Sequence, residues 1–503
     1  MTFGSGADAV KYPDRLFIGG AWVNPSTDSK FSVISPSTEE LYLQVAEAQA
    51  EDVNRAVAAA RKAFDHGPWP KMSHAERARY LSAAAAVLER RAPEASRIWT
   101  GQMGILLKHA QNMVSALPGA YEYHAGLAET FPFIEAHQGK DPDRKAFIVR
   151  EPTGVAALIV PWNSAIHQIV YKSAPALLAG CTVILKSSPE SPVDGYLISE
   201  IMEEIGLPPG VFNMITAERE VSELLVRHPG VDKVSFTGST AAGKKVASIC
   251  GERVARCTLE LGGKSAAVVL DDYDVQLVAD TIAASSCFIT NQVCSALSRV
   301  VVTRKRHDQM VEALSGAFRR IRVGDPFAAE TDIGPLAMAR QRDRVEEYIA
   351  RGVADGALLA AGGGRPRDIN RGFYIEPTVF GNVERNSVIA QEEIFGPVVT
   401  IVPADDENDA VDIANGTVYG LNASVFTNDI DRAFEVAKTL RAGTVGHNSF
   451  QTDFQVGFGG YKESGIGREG GADGLRPYLE AKTVVLDSVP PAMSNLRVKP
   501  AEC

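Results

Sequence analysis

The residues of this chain that can support covalent chemistry are a thiol, a carboxylate and a side-chain amide: Cys294, Glu260 and Asn163. A cysteine thiol is a strong nucleophile even though only a few per cent of it is thiolate at neutral pH. A carboxylate can serve as its base, and an amide N–H can donate to a developing oxyanion. Together the three groups indicate thiol-based acyl chemistry.

The sequence around these residues favours a site, although each residue also has an ordinary structural explanation. Glu260 ends an apolar run shortly before Gly262 and Gly263, which allow other backbone to approach closely. Asn163 follows an apolar strand predicted at 156–160, and ligands of open α/β sheets bind beyond the carboxyl ends of the strands. Taken singly, the cysteine would more often be inert and buried, the glutamate a surface residue and the asparagine part of a turn.

Two series of alternating strands and helices are predicted to position these groups. Apolar strands alternate with helices from residue 153 to residue 270, and a similar series begins at residue 299. Such an alternation is typical of a parallel α/β sheet. The sequence therefore predicts two α/β domains.

Two further features are predicted outside these series. A helix covers residues 75–92, with Ser73 as its N-cap and Glu76 three residues on. Residues 131–151 are predicted to form an extended arm with a turn. A lone late strand at 482–486 needs a sheet edge to pair with, and another subunit is one supplier of that edge.

The composition is that of a large globular chain and argues against several classes of partner. The chain has 503 residues, 45% of them apolar, and its net charge of −11 opposes non-specific binding to nucleic acid or anionic membrane. Its six cysteines form no CxxC pair and no His/Cys metal spacing, so we predict no metal site and a reducing compartment. With neither a signal-peptide pattern nor an apolar stretch of about 18 residues, the predicted location is cytoplasmic, without a membrane partner.

One phosphate-binding pattern in the sequence is incomplete. The run from Gly238 to Lys245 follows a predicted strand and nearly matches GxxxxGK[ST], but Lys245 stands where a Ser or Thr hydroxyl would hold Mg²⁺. A strand–glycine–helix turn still suits a pyrophosphate at the helix N-terminus. A P-loop nucleotide hydrolase is therefore an alternative function, which Lys245 and the lack of a convincing second Mg²⁺ carboxylate disfavour.

The motifs of the chain, taken in order, resemble those of the NAD(P)-dependent aldehyde dehydrogenase superfamily. The similarity extends from about Leu16 to Leu486 and covers nearly the whole chain. Single motifs of this kind occur by chance, whereas all of them in one order are highly specific. The matching runs are Pro161–Asn163, Leu185–Lys186, Phe236–Thr240, Glu260–Lys264, Gln292–Cys294, Glu392–Pro397 and Phe458–Glu469.

The resemblance implies oxidation of a small-molecule aldehyde to the carboxylic acid with NAD(P)⁺. Cys294 is implied to add to the aldehyde as a thiohemiacetal and to carry a thioester after hydride loss. Glu260 is implied to activate the water that hydrolyses this thioester. Asn163 and the Cys294 backbone N–H are implied to form the oxyanion hole. This division agrees with the general rule that hydride chemistry belongs to the cofactor, while protein groups orient it and stabilise charge.

The resemblance also implies which residues contact the cofactor and the substrate. The implied cofactor contacts are Trp162, Lys186, Gly238, Ser239, Glu393 and Phe395. The implied substrate-pocket residues are His167, Gln168, Tyr171, Val293, Ser295 and Phe454. This mixed pocket set contains neither an aromatic box for a quaternary ammonium nor an Arg cluster for a carboxylate, so it favours uncharged aliphatic or aromatic aldehydes.

Two positions depart from the family pattern. Many NAD-preferring members carry a Glu three residues after the equivalent of Lys186, where this chain has Pro189, and Glu190 follows one position later. A missing acid at the ribose removes repulsion of a 2′-phosphate, so the implied cofactor is NAD, with NADP as a second possibility. Gly457 stands where Pro commonly precedes the Phe-Gly-Gly run, which is expected to affect only the rigidity of a loop.

The fold implied by the resemblance is α/β, with a Rossmann-like cofactor domain, an α/β catalytic domain and a small β oligomerisation arm. The predicted cofactor domain comprises residues 1–130 and 152–261, and the catalytic domain residues 262–465. The arm and C-terminal tail comprise residues 131–151 and 466–503. Because the family uses this arm between subunits, a homodimer or a homotetramer is implied.

Two other functions are compatible with part of this pattern. A CoA-acylating variant would pass the thioester to CoA instead of water, but an intact Glu260 argues against it because hydrolysis needs that base. A non-catalytic protein on the same fold would tolerate loss of Cys294 or Glu260, and neither residue is lost.

Overall fold

The computed structural model describes residues 9–141 and 143–499, which form two large sheets, two small sheets and the helices packed on them. The strands are β1 (Leu16–Ile18), β2 (Ala21–Val23), β3 (Lys30–Ile34), β4 (Leu41–Ala46), β5 (Ile134–Gln138), β6 (Lys145–Pro152), β7 (Val155–Ile159), β8 (Thr182–Ser187), β9 (Phe212–Thr216), β10 (Lys233–Thr237), β11 (Arg256–Glu260), β12 (Ser265–Val269), β13 (Leu297–Thr303), β14 (Leu358–Ala361), β15 (Thr378–Gly381), β16 (Val398–Ala404), β17 (Asn422–Phe426), β18 (Thr444–His447), β19 (Gly465–Ile466), β20 (Leu479–Leu486) and β21 (Val498–Lys499). The helices are α1 (Ala50–Asp65), α2 (His74–Met103), α3 (Leu107–Thr130), α4 (Ala165–Ala179), α5 (Val193–Glu204), α6 (Arg219–Arg227), α7 (Thr240–Glu252), α8 (Val275–Cys287), α9 (Arg304–Arg319), α10 (Ala339–Ala354), α11 (Val388–Gln391), α12 (Glu407–Asn415), α13 (Ile430–Thr439) and α14 (Gly471–Leu475).

The first large sheet has the strand order β19-β11-β10-β7-β8-β9-β1-β2. Its five central strands, β11 to β9 in that order, run parallel, whereas β19, β1 and β2 are antiparallel additions at its edges. Every residue of β7, β8 and β9 is buried, as expected for parallel strands that are covered on both faces. This sheet confirms the strand–helix series predicted from residue 153 as far as β11, whereas the last strand of that series, β12, belongs to the second large sheet.

The carboxyl ends of these parallel strands meet along one edge of the first sheet and carry predicted site residues. Asn163 follows β7, Lys186 lies near the end of β8, Gly238 follows β10 and Glu260 ends β11. The register pairs Thr237 with Glu260. Residues that are far apart in sequence are therefore collected at one edge, where ligands of such sheets bind.

The second large sheet has the order β14-β15-β16-β13-β12-β17-β18 and is parallel except for β14. The loops that enter its strands carry the remaining site residues. Cys294 precedes β13, whereas Glu393 and Phe395 precede β16. The site residues thus come from the amino ends of strands in this sheet and from the carboxyl ends of strands in the first sheet.

The predicted arm is a four-stranded sheet of order β20-β6-β5-β21. β20 pairs with β6 along its whole length, from Leu479 opposite Pro152 to Leu486 opposite Lys145. The late strand therefore finds its sheet edge within its own chain. The segment between β18 of the second sheet and β20 of the arm contains the two-residue strand β19, which pairs with β11 in the first sheet. Nothing in a run as short as Gly465–Ile466 signals this pairing.

Helix α2 begins as predicted and ends later than predicted. Ser73 accepts from the Glu76 N–H, and the Glu76 carboxylate accepts from the Ser73 N–H, which is a complete capping box. The helix continues past residue 92 and through Pro93 to Met103, because its last six residues are all buried and packing outweighs the local cost of the proline. Among the described residues, no helix is both long and apolar enough to cross a membrane.

Candidate active site

A cavity of about 360 Å³ between the two large sheets holds the three predicted catalytic side chains. Asn163, Glu260 and Cys294 all line this cavity, which is called the cleft below. They reach it from the end of β7, the end of β11 and the loop before β13. The three groups therefore occupy one volume, as acyl chemistry requires.

The segment before Cys294 is a strained turn held by its own side chains. Ile289, Thr290 and Asn291 have left-handed φ values of 49°, 54° and 56°. Sparsely populated conformations of this kind cost non-glycine residues of order 1–3 kcal/mol each and persist only where the surroundings fix them. The Thr290 hydroxyl and the Asn291 amide each donate to a backbone carbonyl, at 3.2 Å and 3.0 Å. The nucleophile is therefore presented from a rigid loop.

Gly262 and Gly263 allow three parts of the site to approach one another. A Cβ at Gly263 would lie 2.2 Å from the Cys294 carbonyl oxygen, and one at Gly262 would lie 2.5 Å from Glu393 Oε2. The Gly263 N–H also donates to Glu393 Oε1 at 3.0 Å. These distances leave no room for side chains; the predicted close approach of other backbone is confirmed at Gly263, whereas a carboxylate side chain approaches Gly262.

Glu260 is a buried carboxyl group with few polar partners. Among the described residues, no N–H or O–H donates to either of its carboxyl oxygens, and its side chain contacts the Cys294 thiol. Burial raises the pKa of Glu260 to about 8, and the Glu469 carboxylate acts in the same direction. A carboxyl with a pKa near operating pH is suited to general-base work.

Cys294 is held mainly as a thiol in the free site. Burial of the sulfur, followed by the charge of Glu260, raises the pKa of Cys294 well above its usual value. The Ser295 backbone N–H donates to the sulfur and acts in the opposite direction. Cys294 therefore needs a base at the moment of attack, and the group in contact with its sulfur is Glu260.

Asn163 is buried, and its side-chain amide uses only part of its hydrogen-bonding capacity within the described residues. Its Nδ2 donates to the Gln292 carbonyl at 2.9 Å, and its backbone carbonyl accepts from the Trp99 indole at 3.1 Å. A primary amide has two N–H groups, so one is left to donate to an oxygen bound beside Cys294. Trp99 and Gln292 fix the direction of that second N–H.

The other end of the cleft suits a dinucleotide. Ser239 is the N-cap of α7, its hydroxyl accepts from the Ala242 N–H at 3.3 Å, and the helix N-terminus is a favourable place for a pyrophosphate. The rings of Trp162 and Phe395 meet edge to face with centroids 5.4 Å apart and form an apolar wall. Burial raises the pKa of Glu393 to about 7, against the Gly263 N–H, which lowers it. Anion-binding, apolar and carboxyl groups are thus present together, as NAD(P) requires.

Lys186 lies beside the cleft and not in its lining. Burial lowers the pKa of its ammonium group to about 8, whereas the Glu190 and Glu218 carboxylates raise it. Glu190 is also ion-paired with Arg340. Two carboxylates therefore stand near the amine even though position 189 is a proline.

Nearly the whole chain is similar to proteins of known activity. The model of the aldehyde dehydrogenase family matches residues 22–484. The chain belongs to that family. A geranial dehydrogenase from Castellaniella defragrans is 40% identical to it over 474 residues, which cover 94% of this chain and 98% of the relative.

Solved structures agree with this assignment. An aldehyde dehydrogenase of Mycobacterium tuberculosis in complex with NAD⁺ matches with a TM-score of 0.92 at 41% identity, covering 94% of this chain and 98% of that chain. A mutant aldehyde dehydrogenase C of Pseudomonas syringae in complex with NAD⁺ and octanal matches with a TM-score of 0.91 at 38% identity, covering 94% and 97%. This dehydrogenase is thus an NAD(P)-dependent oxidoreductase that oxidises an aldehyde to the carboxylic acid. The predicted fold class and cofactor class are confirmed.

The structure places the predicted cofactor residues and only part of the predicted substrate set in the cleft. Trp162, Gly238, Ser239, Glu393 and Phe395 line it, and Lys186 is adjacent to it. Of the six substrate-pocket residues, Gln168 lines the cleft, where its Oε1 accepts from the Thr237 hydroxyl at 3.0 Å. The other five lie outside that lining.

Aromatic packing distinguishes the remaining substrate-pocket residues. The Tyr171 and Phe454 rings pack at a tilt of 30° with centroids 4.5 Å apart, and Phe454 packs on Phe458 at 4.4 Å. His167 packs against Trp99 at 5.0 Å, and burial lowers the pKa of His167 to about 4, so this ring is neutral at neutral pH. Beside the nucleophile, Val293 is half-buried and Ser295 is buried.

Several cleft residues were missed by the sequence interpretation. Three of them carry guanidinium groups, which suit a pyrophosphate or another phosphate group. These arginines lie on α6 and on α10, whose sequence is that of an ordinary charged surface helix. No motif marks them in the sequence. The missed residues that line the cleft are Arg219, Arg340, Gln341 and Arg344.

A buried ion pair near Glu260 was missed as well. Lys172 on α4 pairs with Glu469, and both side chains are almost fully buried. The Glu469 carboxylate raises the pKa of Glu260, whereas the Lys172 ammonium lowers it. The pair therefore sets part of the electrostatic environment of the candidate base.

Proposed function

We propose that Cys294 carries the covalent intermediates of this dehydrogenase, with Glu260 as base and Asn163 as oxyanion donor. Glu260 accepts the thiol proton, and the Cys294 sulfur adds to the aldehyde carbonyl to give a thiohemiacetal. The carbonyl oxygen, as it gains charge, accepts from the second amide N–H of Asn163 and from the Cys294 backbone N–H. Removing one such donor typically costs about 10²–10³ in rate.

Cofactor binding is proposed to use the far end of the cleft. NAD(P)⁺ supplies the hydride acceptor when it is bound. Ser239, Gly238 and the N-terminus of α7 would hold its pyrophosphate, with help from the cleft arginines. Glu393 and Lys186 would contact ribose hydroxyls, and Trp162 with Phe395 would exclude water from the nicotinamide side.

Hydrolysis of the thioester on Cys294 is proposed to use Glu260 a second time. The carboxylate removes a proton from a water molecule, whose oxygen attacks the thioester carbonyl, and the carboxylic acid leaves as the thiol is restored. Because burial raises the pKa of Glu260 to about 8, the carboxylate regains its basicity in the range where the enzyme works. This second task distinguishes the proposal from a CoA-acylating enzyme.

The observation that carries this proposal is the contact of the buried Glu260 carboxyl with the Cys294 thiol in the cleft that Asn163 also lines. The test is NADH formation on mixing purified enzyme, NAD⁺ and an aldehyde. Cys294→Ser should abolish the signal. Glu260→Gln should give at most one burst equivalent to the enzyme, and undiminished steady turnover of Cys294→Ser would overturn the mechanism.

A matched control for these variants is Cys287→Ser. Cys287 lies seven positions before the nucleophile and ends α8. Its pKa is also raised, chiefly by burial, so it resembles Cys294 in reactivity but does not line the cleft. Cys287→Ser should keep wild-type burst and steady-state rates, and a loss equal to that of Cys294→Ser would show that the loss reflects general damage.

The substrate is proposed to be an uncharged aliphatic or aromatic aldehyde. The packed rings of Tyr171, Phe454 and Phe458 and the neutral His167 offer a largely apolar surface for such a substrate. One relative is named a geranial dehydrogenase, and one similar structure is of a mutant aldehyde dehydrogenase C in complex with octanal. The test compares kcat/KM for octanal, benzaldehyde and betaine aldehyde. A preference for the cationic aldehyde would refute this proposal and point instead to cation–π binding by the Tyr171 and Phe454 rings.

NAD is proposed to be preferred over NADP. The support is the pair of carboxylates, Glu190 and Glu218, that act on Lys186 although Pro189 carries no acid. Their charge would repel a 2′-phosphate. The test is the ratio of kcat/KM for NAD⁺ to that for NADP⁺, which Glu190→Gln should lower. A wild-type ratio below one would reverse the proposal.

Assembly and location are proposed on more general grounds. The three-part domain division predicted from sequence is retained, with the arm joining subunits into a homodimer or a homotetramer. Its support is that β20 is an edge strand of the arm sheet, with Val485 about half exposed. Sedimentation of the full chain tests this proposal, and Val485→Glu should shift it towards smaller species. A cytoplasmic location stays a prediction from cysteine usage, to be tested by fractionation.

A further inference from the structure

Two cysteines lie side by side on the flank of the first sheet, away from the cleft. Cys250 is in the last turn of α7 and Cys257 is in β11. Their thiols form a hydrogen bond with each other. Both belong to the same apolar cluster, where Cys250 is buried and Cys257 half-buried. The proposed reaction uses neither thiol.

The turn between the two cysteines fixes their approach. The Ala255 N–H donates to the Cys250 carbonyl at 2.9 Å, and the Val254 N–H donates to the Gly251 carbonyl at 3.2 Å. Val254 has a left-handed φ of 55°, so the chain reverses sharply after α7 and enters β11 beside it. The pair is therefore held in contact by backbone and not by chance side-chain positions.

We propose that Cys250 and Cys257 form a site of reversible oxidation, which closes to an intramolecular disulfide when the protein meets a hydroperoxide. The Cys257 sulfur attacks the O–O bond of the peroxide, becomes a sulfenic acid, and the first oxygen leaves as water. The Cys250 sulfur then displaces the sulfenic oxygen as a second water, and the S–S bond forms. Two thiols lose two electrons and two protons, and the peroxide is reduced to two waters or, for an alkyl hydroperoxide, to an alcohol and water.

The division of roles follows from the surroundings of each sulfur. The hydrogen bond from Cys250 lowers the pKa of Cys257, and the nearby Lys233 ammonium acts in the same direction. The same bond raises the pKa of Cys250, which therefore keeps its proton as the resolving thiol. Cys257 is also the more exposed of the two. A low pKa beside a resolving thiol is the usual arrangement of a redox-sensitive cysteine.

The pair is separate from the catalytic thiol. Cys250 lies near the end of α7 opposite to Ser239, about 16 Å along the helix from a rise of about 1.5 Å per residue. The raised pKa of Cys294 keeps its thiol protonated, and this thiol therefore reacts slowly with peroxide. The disulfide is thus expected to form before the active site is oxidised.

Trypsin provides a direct test, because Lys245, Arg253, Arg256 and Lys264 place the two cysteines in different peptides. The full-length protein is treated with hydrogen peroxide, alkylated and digested without reduction. We expect a cross-linked product of peptides 246–253 and 257–264, two hydrogens lighter than their sum, which dithiothreitol separates. Absence of this product under conditions in which Cys257 is oxidised would overturn the proposal.

Two variants keep the test decisive. Cys257→Ser should lose the cross-link while keeping aldehyde oxidation within about twofold of wild type before peroxide. Cys250→Ser should leave Cys257 as a sulfenic acid that dimedone captures. Cys181, which is fully buried, should stay unmodified in every sample. Dimedone capture at Cys250 in Cys257→Ser, with none at Cys257 in Cys250→Ser, would reverse the assigned roles and refute them.

Discussion

The pH dependence of thioester hydrolysis is the most direct readout of the buried base. With a Glu260 pKa of about 8, roughly one tenth of the carboxyl is ionised at pH 7 and roughly nine tenths at pH 9. Because the base acts only when it is ionised, hydrolysis of the Cys294 thioester should accelerate about tenfold over this range. An exposed glutamate with an ordinary pKa near 4.3 would give a flat profile there.

The origin of this pKa supplies a second, directional test. Burial is the largest cause of the raised Glu260 pKa, and the Glu469 carboxylate is the next. Glu469→Gln removes that charge and leaves the Lys172 ammonium, which lowers the pKa of Glu260. The midpoint of the profile should therefore move to lower pH in this variant, while the plateau rate changes much less than the midpoint.

The assay must separate hydrolysis from the steps before it. Enzyme and NAD⁺ are mixed with aldehyde at one pH, the acyl-enzyme is brought rapidly to a second pH, and its decay is followed by chemical quench and mass measurement of the chain. Glu260→Gln, which cannot ionise, is the control and should show a slow, nearly flat profile. A flat wild-type profile between pH 7 and 9, or a midpoint that rises in Glu469→Gln, would refute the electrostatic reasoning.

Three further substitutions test other parts of the site. Asn163→Ala should lower kcat about 10²–10³-fold without weakening NAD⁺ binding measured by tryptophan fluorescence, and an equal loss of binding would contradict an oxyanion role. Gly263→Ala places a Cβ 2.2 Å from the Cys294 carbonyl oxygen and should lower kcat more than tenfold. The control Gly251→Ala, whose Cβ meets no atom within 4 Å, should keep the wild-type kcat. Similar losses of kcat in both variants would exclude this steric cause. Lys172→Met leaves the buried Glu469 unpaired and should destabilise the fold by about 3–5 kcal/mol in urea unfolding, and a wild-type midpoint would show that the pair is not buried as described.

Local features of the fold could be predicted from sequence because their signals are local. The capping box of Ser73 and Glu76 is complete, and the parallel strands of the first sheet are the apolar runs that were predicted. The end predicted for α2 at residue 92 was wrong, because burial of the last turns extends the helix beyond that residue. The pairing of β19 with β11 is decided by long-range contacts that a two-residue strand does not encode by itself.

The candidate site divides in the same way. Cys294, Glu260 and Asn163 were found from residue type, spacing and the order of motifs, because each sits in a recognisable local pattern. The arginines of the cleft and the Lys172–Glu469 pair were not found: the arginines and Lys172 come from helices with no motif, and Glu469, although it ends a matching run, meets Lys172 only in the folded chain. Most of the predicted substrate-pocket residues lie outside the cleft lining, and their roles stay predictions.

The sequence by itself determined the reaction chemistry of this dehydrogenase: a thiol, a carboxylate and an amide in a fixed order, among strands whose carboxyl ends form a ligand-binding edge. The tertiary structure decided how reactive those groups are. It buried both side chains, which raises the pKa of each, and it set the Glu469 carboxylate near Glu260 and the Glu260 carboxylate against the Cys294 thiol. A pKa depends on desolvation and on charges close in space, and residues as distant in sequence as Glu260 and Glu469 become neighbours only when the chain is folded.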